Sequence, residues 1–267
     1  MITSISAWSY RTWFEGGKCD VLSFLDEVKQ LGAGGVEIFP KYVDADDPGG
    51  CLKRIAVKAK KLGLEISSLI AGNDFARPLA RERAEQVERM KATIVQAAAA
   101  GITRMNSFTG YHVAGQDPFM EAARVIDAYR EVMPLAEEHK VLLCIENHSS
   151  VCTDADSILN IIKAVGSANL RTNPDFTNFV PEFPRRSERA LEAIYTETEK
   201  FAPLAINAHL KVGEFADDGE HRYYSVKRLL DIMRAAGYDG HVVLEYYGSG
   251  DPVDACKKGV ALLRKYA

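Results

Sequence analysis

A chain of 267 residues with a formal net charge of −4 has no general attraction for a phosphate backbone or an anionic lipid surface, so neither nucleic acid nor membrane is expected as a partner. Its 47% hydrophobic and 26% charged residues are ordinary for a globular protein, and a chain of this length buries roughly three quarters of its unfolded surface without covalent staples. Five cysteines (Cys19, Cys51, Cys144, Cys152 and Cys256) without any C-x-x-C spacing, a start (MITSISAWSYRTWF) lacking a basic segment before an apolar core, and no apolar run of membrane-spanning length lead us to expect reduced thiols in a cytoplasmic protein without a secretory signal.

In chain order, apolar runs predict strands at 2–7, 35–39, 65–70, 102–107, 141–146, 170–175, 205–210 and 241–246. Between and after them, helical periodicity covers about 20–31, 49–62, 79–100, 118–139, 154–166, 187–202, 225–236 and 252–266. Strict alternation of this kind implies parallel strands joined by helical crossovers. VLLCI and HVVLEY are apolar at successive positions, as strands covered on both faces should be. Asp117-Pro118 and Asp251-Pro252 place a capping acid before a proline at the first helical position. Gly32, Gly63, Gly101 and Gly237 follow helical stretches, where a left-handed cap is needed. Eight strand–helix units in 267 residues give a mean period of roughly 33 and one domain, 1–267, of the α/β class: a single (β/α)8 TIM barrel, whose usual length is about 250. Its longest connections, Phe176–Arg186 and Val212–Tyr224, follow the sixth and seventh strands and are read either as pocket and lid or as solvated loops.

Glu146, Asp175, His209 and Glu245 succeed one another at steps of 29, 34 and 36 residues, each at or near the C-terminal end of an apolar run. That end of a barrel is where catalytic side chains collect. Three carboxylates and one imidazole converging there describe a divalent-metal site, because unpaired buried carboxylates are expensive. Oxygen-rich ligation with a single imidazole puts Mn²⁺ first, with Mg²⁺, Co²⁺ and Zn²⁺ as alternatives. Asp175, within NPDFTN, also has a turn reading. Side chains two apart along a strand share a face, so Cys144 and His148 accompany Glu146, Asn207 and Lys211 accompany His209, and Tyr247 accompanies Glu245. Of these, His148 and Lys211 are candidates to contact substrate. Glu37, ending the second strand, reads as a hydroxyl ligand or an inward ion pair, and His112, in SFTGYHVAG, as a residue reaching the mouth. Trp8 and Tyr10, after the first strand, offer aromatic faces to a sugar or to the core. Cys144 and Cys152 read as inert small hydrophobes.

GVEIF (35–39), CIENH (144–148), NPDFTN (173–178), HLK (209–211) and VVLEYYG (242–248) resemble the xylose-isomerase-like superfamily of (β/α)8 sugar and sugar-phosphate isomerases and epimerases. The resemblance implies that Glu146, Asp175, His209 and Glu245 bind the metal, and that Glu146 and Glu245 also act as proton acceptor and donor beside the substrate. Three departures bear on substrate. Ketose 3-epimerases of this superfamily carry Asn-Arg-x-Glu soon after the first ligand, a His three residues after the Asp ligand, and an Arg six residues after the His ligand. This chain has HSSVCTD, Asn178 and Phe215 instead. Related apurinic-site endonucleases need further His and Asp ligands, which are missing at Asn73 and Asn178, so DNA repair is disfavoured.

The expectation is a metal-dependent isomerase or epimerase of a small sugar, keto-sugar or hydroxy-keto acid, with proton transfer by the two glutamates. A dehydratase or decarboxylase on the same scaffold, with Lys211 or His148 as acid, is the alternative; a non-catalytic carbohydrate-binding barrel is a third class. Free ketoses should be poor substrates beside a modified keto-sugar, inosose or keto-acid. His148, Lys211, Asn178 and the Arg185/Arg186 pair are the groups nearest to meet such a substrate. A homo-oligomer is compatible with the sequence.

Overall fold

The computed structural model describes residues 1–148, 151–180 and 187–266. Eight strands, β1 (Ile2–Ser6), β2 (Gly35–Ile38), β3 (Glu65–Ile70), β4 (Arg104–Ser107), β5 (Leu142–Glu146), β6 (Leu170–Asn173), β7 (Asn207–Val212) and β8 (His241–Tyr246), form one sheet in the order β6-β5-β4-β3-β2-β1-β8-β7. Each neighbouring pair is parallel. A short helix, α1 (Arg11–Glu15), follows β1. The crossovers are α2 (Val21–Gln30), α3 (Pro48–Leu62), α4 (Ala80–Ala99), α5 (Pro118–Glu138), α6 (Ala155–Val165), α7 (Glu188–Phe201) and α8 (Val226–Ala235), and α9 (Pro252–Tyr266) closes the chain. The eight barrel helices agree with the sequence expectation to within one residue at each end.

Their ends follow the expected chemistry. Asp117 accepts from the Phe119 N–H at 2.9 Å, and Asp251 from Val253 at 2.9 Å and Asp254 at 3.2 Å. Gly32, Gly63, Gly101 and Gly237 all take the left-handed conformation, with φ between 66° and 81°.

β6 and β7 meet differently from the other pairs. Pro174 has no N–H to donate, so the β6 ladder stops at Asn173, short of the expected 175. The barrel closes instead through two isolated parallel bridges, Thr172 to Ala205 and Asp175 to His209. At the second, the His209 N–H donates to Pro174 O at 2.8 Å and the Phe176 N–H donates to His209 O at 3.2 Å. The seam of the barrel is thereby stitched at two of the proposed ligands. Pro203 lies in a 3-10 turn, Ala202–Leu204, which delays β7 by two residues from its predicted start.

The apolar core lies between sheet and helices: Val36 and Ile38, Leu143 and Ile145, Ala208 and Leu210, and Val242 and Leu244 all pack in it. The inward-facing positions of β2, β4, β6 and β7 carry Glu37, Asn106, Asn173, Asn207 and His209, all buried and in contact with one another or with Glu146. Barrel interiors are usually filled by branched apolar side chains. A polar interior must satisfy its own hydrogen bonds, and the network it builds leads upward to the C-terminal ends of β5 to β8. Among the described residues no helix is long and apolar enough to cross a membrane. The five cysteines are free thiols, four of them buried.

Candidate metal centre

Glu146 is the last residue of β5, Asp175 follows β6 by two residues, His209 is third in β7 and Glu245 fifth in β8. One ligand-type atom from each of Glu146, Asp175 and His209 lies within 4.8 Å of the others, and all three residues are buried. Glu245 is buried at the same end but stands outside that trio, with its Oε2 3.0 Å from Lys211 Nζ.

Each member is held by identifiable contacts. The Asp175 N–H donates to Asn147 Oδ1 at 2.7 Å and Asn147 Nδ2 returns a bond to Asp175 O at 2.9 Å, a two-point clamp from the end of β5. Asp175 Oδ1 accepts from the Thr177 and Asn178 N–H groups, and its Oδ2 from Lys211 Nζ at 3.1 Å. Glu146 Oε2 accepts from Asn106 Nδ2 at 2.5 Å, and Oε1 from Asn178 Nδ2 at 3.3 Å. His209 turns Nε2 to Glu37 Oε1 at 3.0 Å, while its Nδ1 stands 3.5 Å from Glu146 Oε2.

The electrostatics follow from burying this many charges together. Burial alone would push His209 down, but the carboxylates of Glu37 and Glu146 outweigh it and carry the imidazole up to about 10. Burial raises Glu146 above the ordinary carboxylate range despite His209 and His148 nearby. Burial opposes ionisation of Glu245 too, yet Lys211 and His209 prevail and hold it low. Lys211, largely buried, is kept charged well above its usual range: Asp175 and Glu245 overcome the cost of desolvation.

The residues fit a divalent cation. Two carboxylates and an imidazole supply hard donors within reach of one another. Among the described residues, the buried His209 Nδ1 has no aligned hydrogen-bond partner, only Glu146 Oε2 at 3.5 Å. Such atoms carry a desolvation cost that coordination would remove.

The remaining candidates separate. Asn178 joins the cluster, bridging Glu146 and Lys211, to which its Oδ1 is an acceptor at 3.4 Å. His148 is half-buried against Phe108, with ring centroids 4.8 Å apart. Trp8 packs on Phe39, its ring 5.7 Å from the Arg11 guanidinium that binds the carbonyls of Tyr246, Tyr247 and Gly248, so it stands beside the end of β8. Tyr10 does not join them. The 3-10 turn Ala7–Tyr10 carries it into the core, fully buried between Trp13 and Phe24, and the expectation of a substrate contact is corrected. His112 is bound by Glu121 at 2.7 Å, which ties it to the first turn of α5. Glu37 lies wholly inside the barrel under His209, the inward ion pair of its two readings. Arg185 and Arg186 lie outside the described residues.

The connection after β7 is packed down. Phe215 and His221 bridge as a short antiparallel hairpin, and Glu220 is bound by Lys265 at 2.6 Å and by Tyr266 at 2.7 Å. His221 stacks on Tyr224, whose hydroxyl donates to Lys211 O at 3.2 Å, and burial pushes the imidazole down to about 4. Asn73, where an endonuclease-type ligand is missing, binds the backbone of Phe108 through both ends of its amide. The asparagines Asn106, Asn147 and Asn173 escaped the sequence reading; their one signal was polarity inside runs that should be apolar.

A family model described as the xylose isomerase-like TIM barrel matches residues 25–266. No protein of curated function matches the chain in sequence. Among solved structures, a D-psicose 3-epimerase with D-tagatose from Clostridium cellulolyticum H10 is 15% identical, with 100% of this chain and 99% of that one covered and a TM-score of 0.72. A 3-keto-D-glucoside 4-epimerase from E. coli is 15% identical, covering 92% and 94%, with a TM-score of 0.75. An L-ribulose 3-epimerase is 17% identical, covering 99% and 93%, also with a TM-score of 0.75. At these identities the likeness establishes the barrel, and the family match over nearly the whole chain establishes the lineage: this protein belongs to the xylose isomerase-like TIM-barrel family.

Proposed function

We propose that this chain is a divalent-metal-dependent isomerase or epimerase of a small keto-sugar or hydroxy-keto acid, with Glu146, Asp175, His209 and Glu245 as metal ligands and Glu146 and Glu245 as the proton-transfer pair. The observation that carries the reading is the buried trio of Glu146, Asp175 and His209 at the C-terminal end of the barrel. Its neighbours in fold are epimerases of psicose, ribulose and a keto-glucoside, which supports proton exchange beside a carbonyl as the reaction class.

When bound, the ion supplies Lewis acidity, polarising a carbonyl so that the neighbouring C–H becomes acidic. The chain's residues do the rest. Asn147 fixes Asp175 from behind, and Asn106 and Asn178 fix the two oxygens of Glu146. One of the two glutamates takes the proton at a carboxylate oxygen, and the other returns one. They come from different strands and sit in different fields: Lys211 keeps Glu245 ionised, whereas burial favours the protonated form of Glu146.

Lys211 is the group that sets substrate charge in this reading. Its ammonium is buried among Asp175, Glu245 and Asn178, and Asn178 stands where the resemblance expects a His. A carboxylate- or phosphate-bearing substrate, or a modified keto-sugar, would suit the site better than a free ketose once a bound cation draws Asp175 and Glu245 away from Lys211 and frees its ammonium. Mn²⁺ is the first metal to try. Incubation of the Mn²⁺-loaded chain with ketoses, inososes and keto-acids in deuterated buffer tests the reading. Isomerisation or epimerisation puts one deuterium on carbon without loss of mass. Release of water or CO₂ would replace it by the lyase alternative, and no exchange with any of them would overturn it.

A further inference from the structure

Glu37 has no role in the proton transfers above, yet it is as fully enclosed as the proposed ligand Asp175. We propose that Glu37 is a positioning residue: it holds the Nε2–H of His209 and thereby presents Nδ1 to the metal. The proposal rests on the metal-site reading.

Several independent features point to it. An imidazole can offer one nitrogen to a cation only while the other carries the proton, and a carboxylate on that proton fixes the ring and raises its basicity. Here Nε2 lies 3.0 Å from Glu37 Oε1, and Nδ1, on the other edge of the ring, faces Glu146. With Nε2 as donor, the Asn173 carboxamide 3.1 Å away must turn its otherwise unpartnered oxygen to it, and Asn207 Nδ2, 3.4 Å from Nε2, donates to Glu37 instead. Glu37 is itself pinned, with Ser68 Oγ donating to Oε1 at 2.6 Å and Asn207 Nδ2 approaching it at 3.3 Å. The backbone is arranged for this. β2 and β3 run in register through Gly35–Glu65 and Val36–Ile66, then shift so that Glu37 pairs with Ser68 and Ile38 with Leu69. Ser67 is the extra residue, its hydroxyl spent on Val36 O. Such a bulge re-aims side chains. Without it Ser67 would stand opposite Glu37, and the short Ser68 bond would be lost.

Two competing roles make different predictions. A direct ligand must stand beside the other donor atoms, and Glu37 does not: it meets Nε2, on the opposite edge of the ring from the Nδ1 that faces Glu146, and lies outside the trio of Glu146, Asp175 and His209. A purely structural ion pair would support folding without touching the metal.

The test is the rate at which the metal-loaded chain surrenders Mn²⁺ to excess chelator, a quantity set by the bonds of the loaded site. Glu37→Gln, nearly isosteric, should release Mn²⁺ about 10–100-fold faster, the usual scale for losing such a partner. Ser68→Ala should act in the same direction and less strongly. In a His209→Ala background Glu37→Gln should have no further effect, because the two residues act as one unit. In the Zn²⁺-loaded chain the Nε2–H proton of His209 should give a slowly exchanging downfield resonance that Glu37→Gln shifts and Glu37→Leu abolishes. Should Glu37→Leu fail to fold, the isosteric variant still decides. An unchanged release rate with an unmoved resonance would overturn the proposal, and so would an equal acceleration in the His209→Ala background, which would make Glu37 a ligand in its own right. Failure of the unsubstituted chain to take up Mn²⁺, Co²⁺ or Zn²⁺ would overturn the metal-site reading and this proposal with it.

Discussion

Metal uptake should expel a proton from His209, and the amount is set by where that proton sits. Glu37 and Glu146 hold the imidazole up to about 10 against the burial that opposes its charge. At about pH 8 the metal-free ring is then ionised in all but roughly one molecule in a hundred, so Nδ1 must be stripped of its proton before it can coordinate. Binding at that pH is correspondingly weaker, by on the order of 100-fold, than at a site with the ring already neutral. Mn²⁺ affinity should therefore rise about tenfold per pH unit between about pH 7 and 9, with close to one proton released per ion bound. Calorimetric titration in buffers of different ionisation enthalpy counts that proton directly. His209→Gln should bind weakly and lose most of the slope. Tight binding in the unsubstituted chain that ignores pH and releases no proton would refute the reasoning, because Nδ1 would then be either neutral beforehand or not a ligand.

The metal-free chain should melt at lower temperature as pH rises. A folded-state pKa of about 10 against the ordinary imidazole value of about 6.5 means that the stabilisation from His209 is complete below about 6.5 and lost toward 10, whereas the metal-loaded chain, its ring neutral, should melt almost independently of pH over that window. Glu146→Gln and Glu245→Gln should each lower turnover by about 10²–10⁴-fold while retaining much of the metal, as read by steady-state kinetics and metal analysis; near-normal rates in both would eliminate the two-carboxylate mechanism. Lys211→Met should raise KM for an anionic substrate far more than for a neutral one, and equal effects on both would remove Lys211 from substrate charge selection. Asn147→Ala leaves the buried Asp175 N–H without its acceptor, so a loss of about 1–3 kcal/mol in denaturant unfolding is expected.

The barrel was legible because its signal is periodic and redundant. Helix limits were marked twice over, by the apolar stripe and by Asp-Pro starts and glycine stops, and each marker has a local physical cause. The errors fall where tertiary closure intervened. The apolar pattern extends β6 to Asp175, yet Pro174 has no N–H to give a ladder, and the β6–β7 seam is carried by two isolated backbone bridges. Of the two readings open to Tyr10, a sugar contact or core packing, position after β1 does not choose; the 3-10 turn Ala7–Tyr10 does, and it buries the ring.

For the site, spacing could find the residues that end strands but not the ones that hold them. Glu146, Asp175, His209 and Glu245 announce themselves because a carboxylate or imidazole at the end of an apolar strand needs a reason. Asn106 lies inside β4 and Asn173 ends β6 just before Pro174, and at either place one polar amide reads as noise. Their meaning appears only when β4 is placed beside β5, bringing Asn106 to Glu146, and when β6 is closed on β7, bringing Asn173 to His209. Glu37 is the sharper case. Its sequence position, the last-but-one residue of a strand on the far side of the barrel, suggests a group facing substrate. It becomes a partner of His209 only through a contact spanning 172 residues, across a lumen whose polarity no single strand reveals. Local pattern identifies charge that must be explained; the explanation lies in which strand stands opposite, and that is fixed by barrel closure rather than by any segment of sequence.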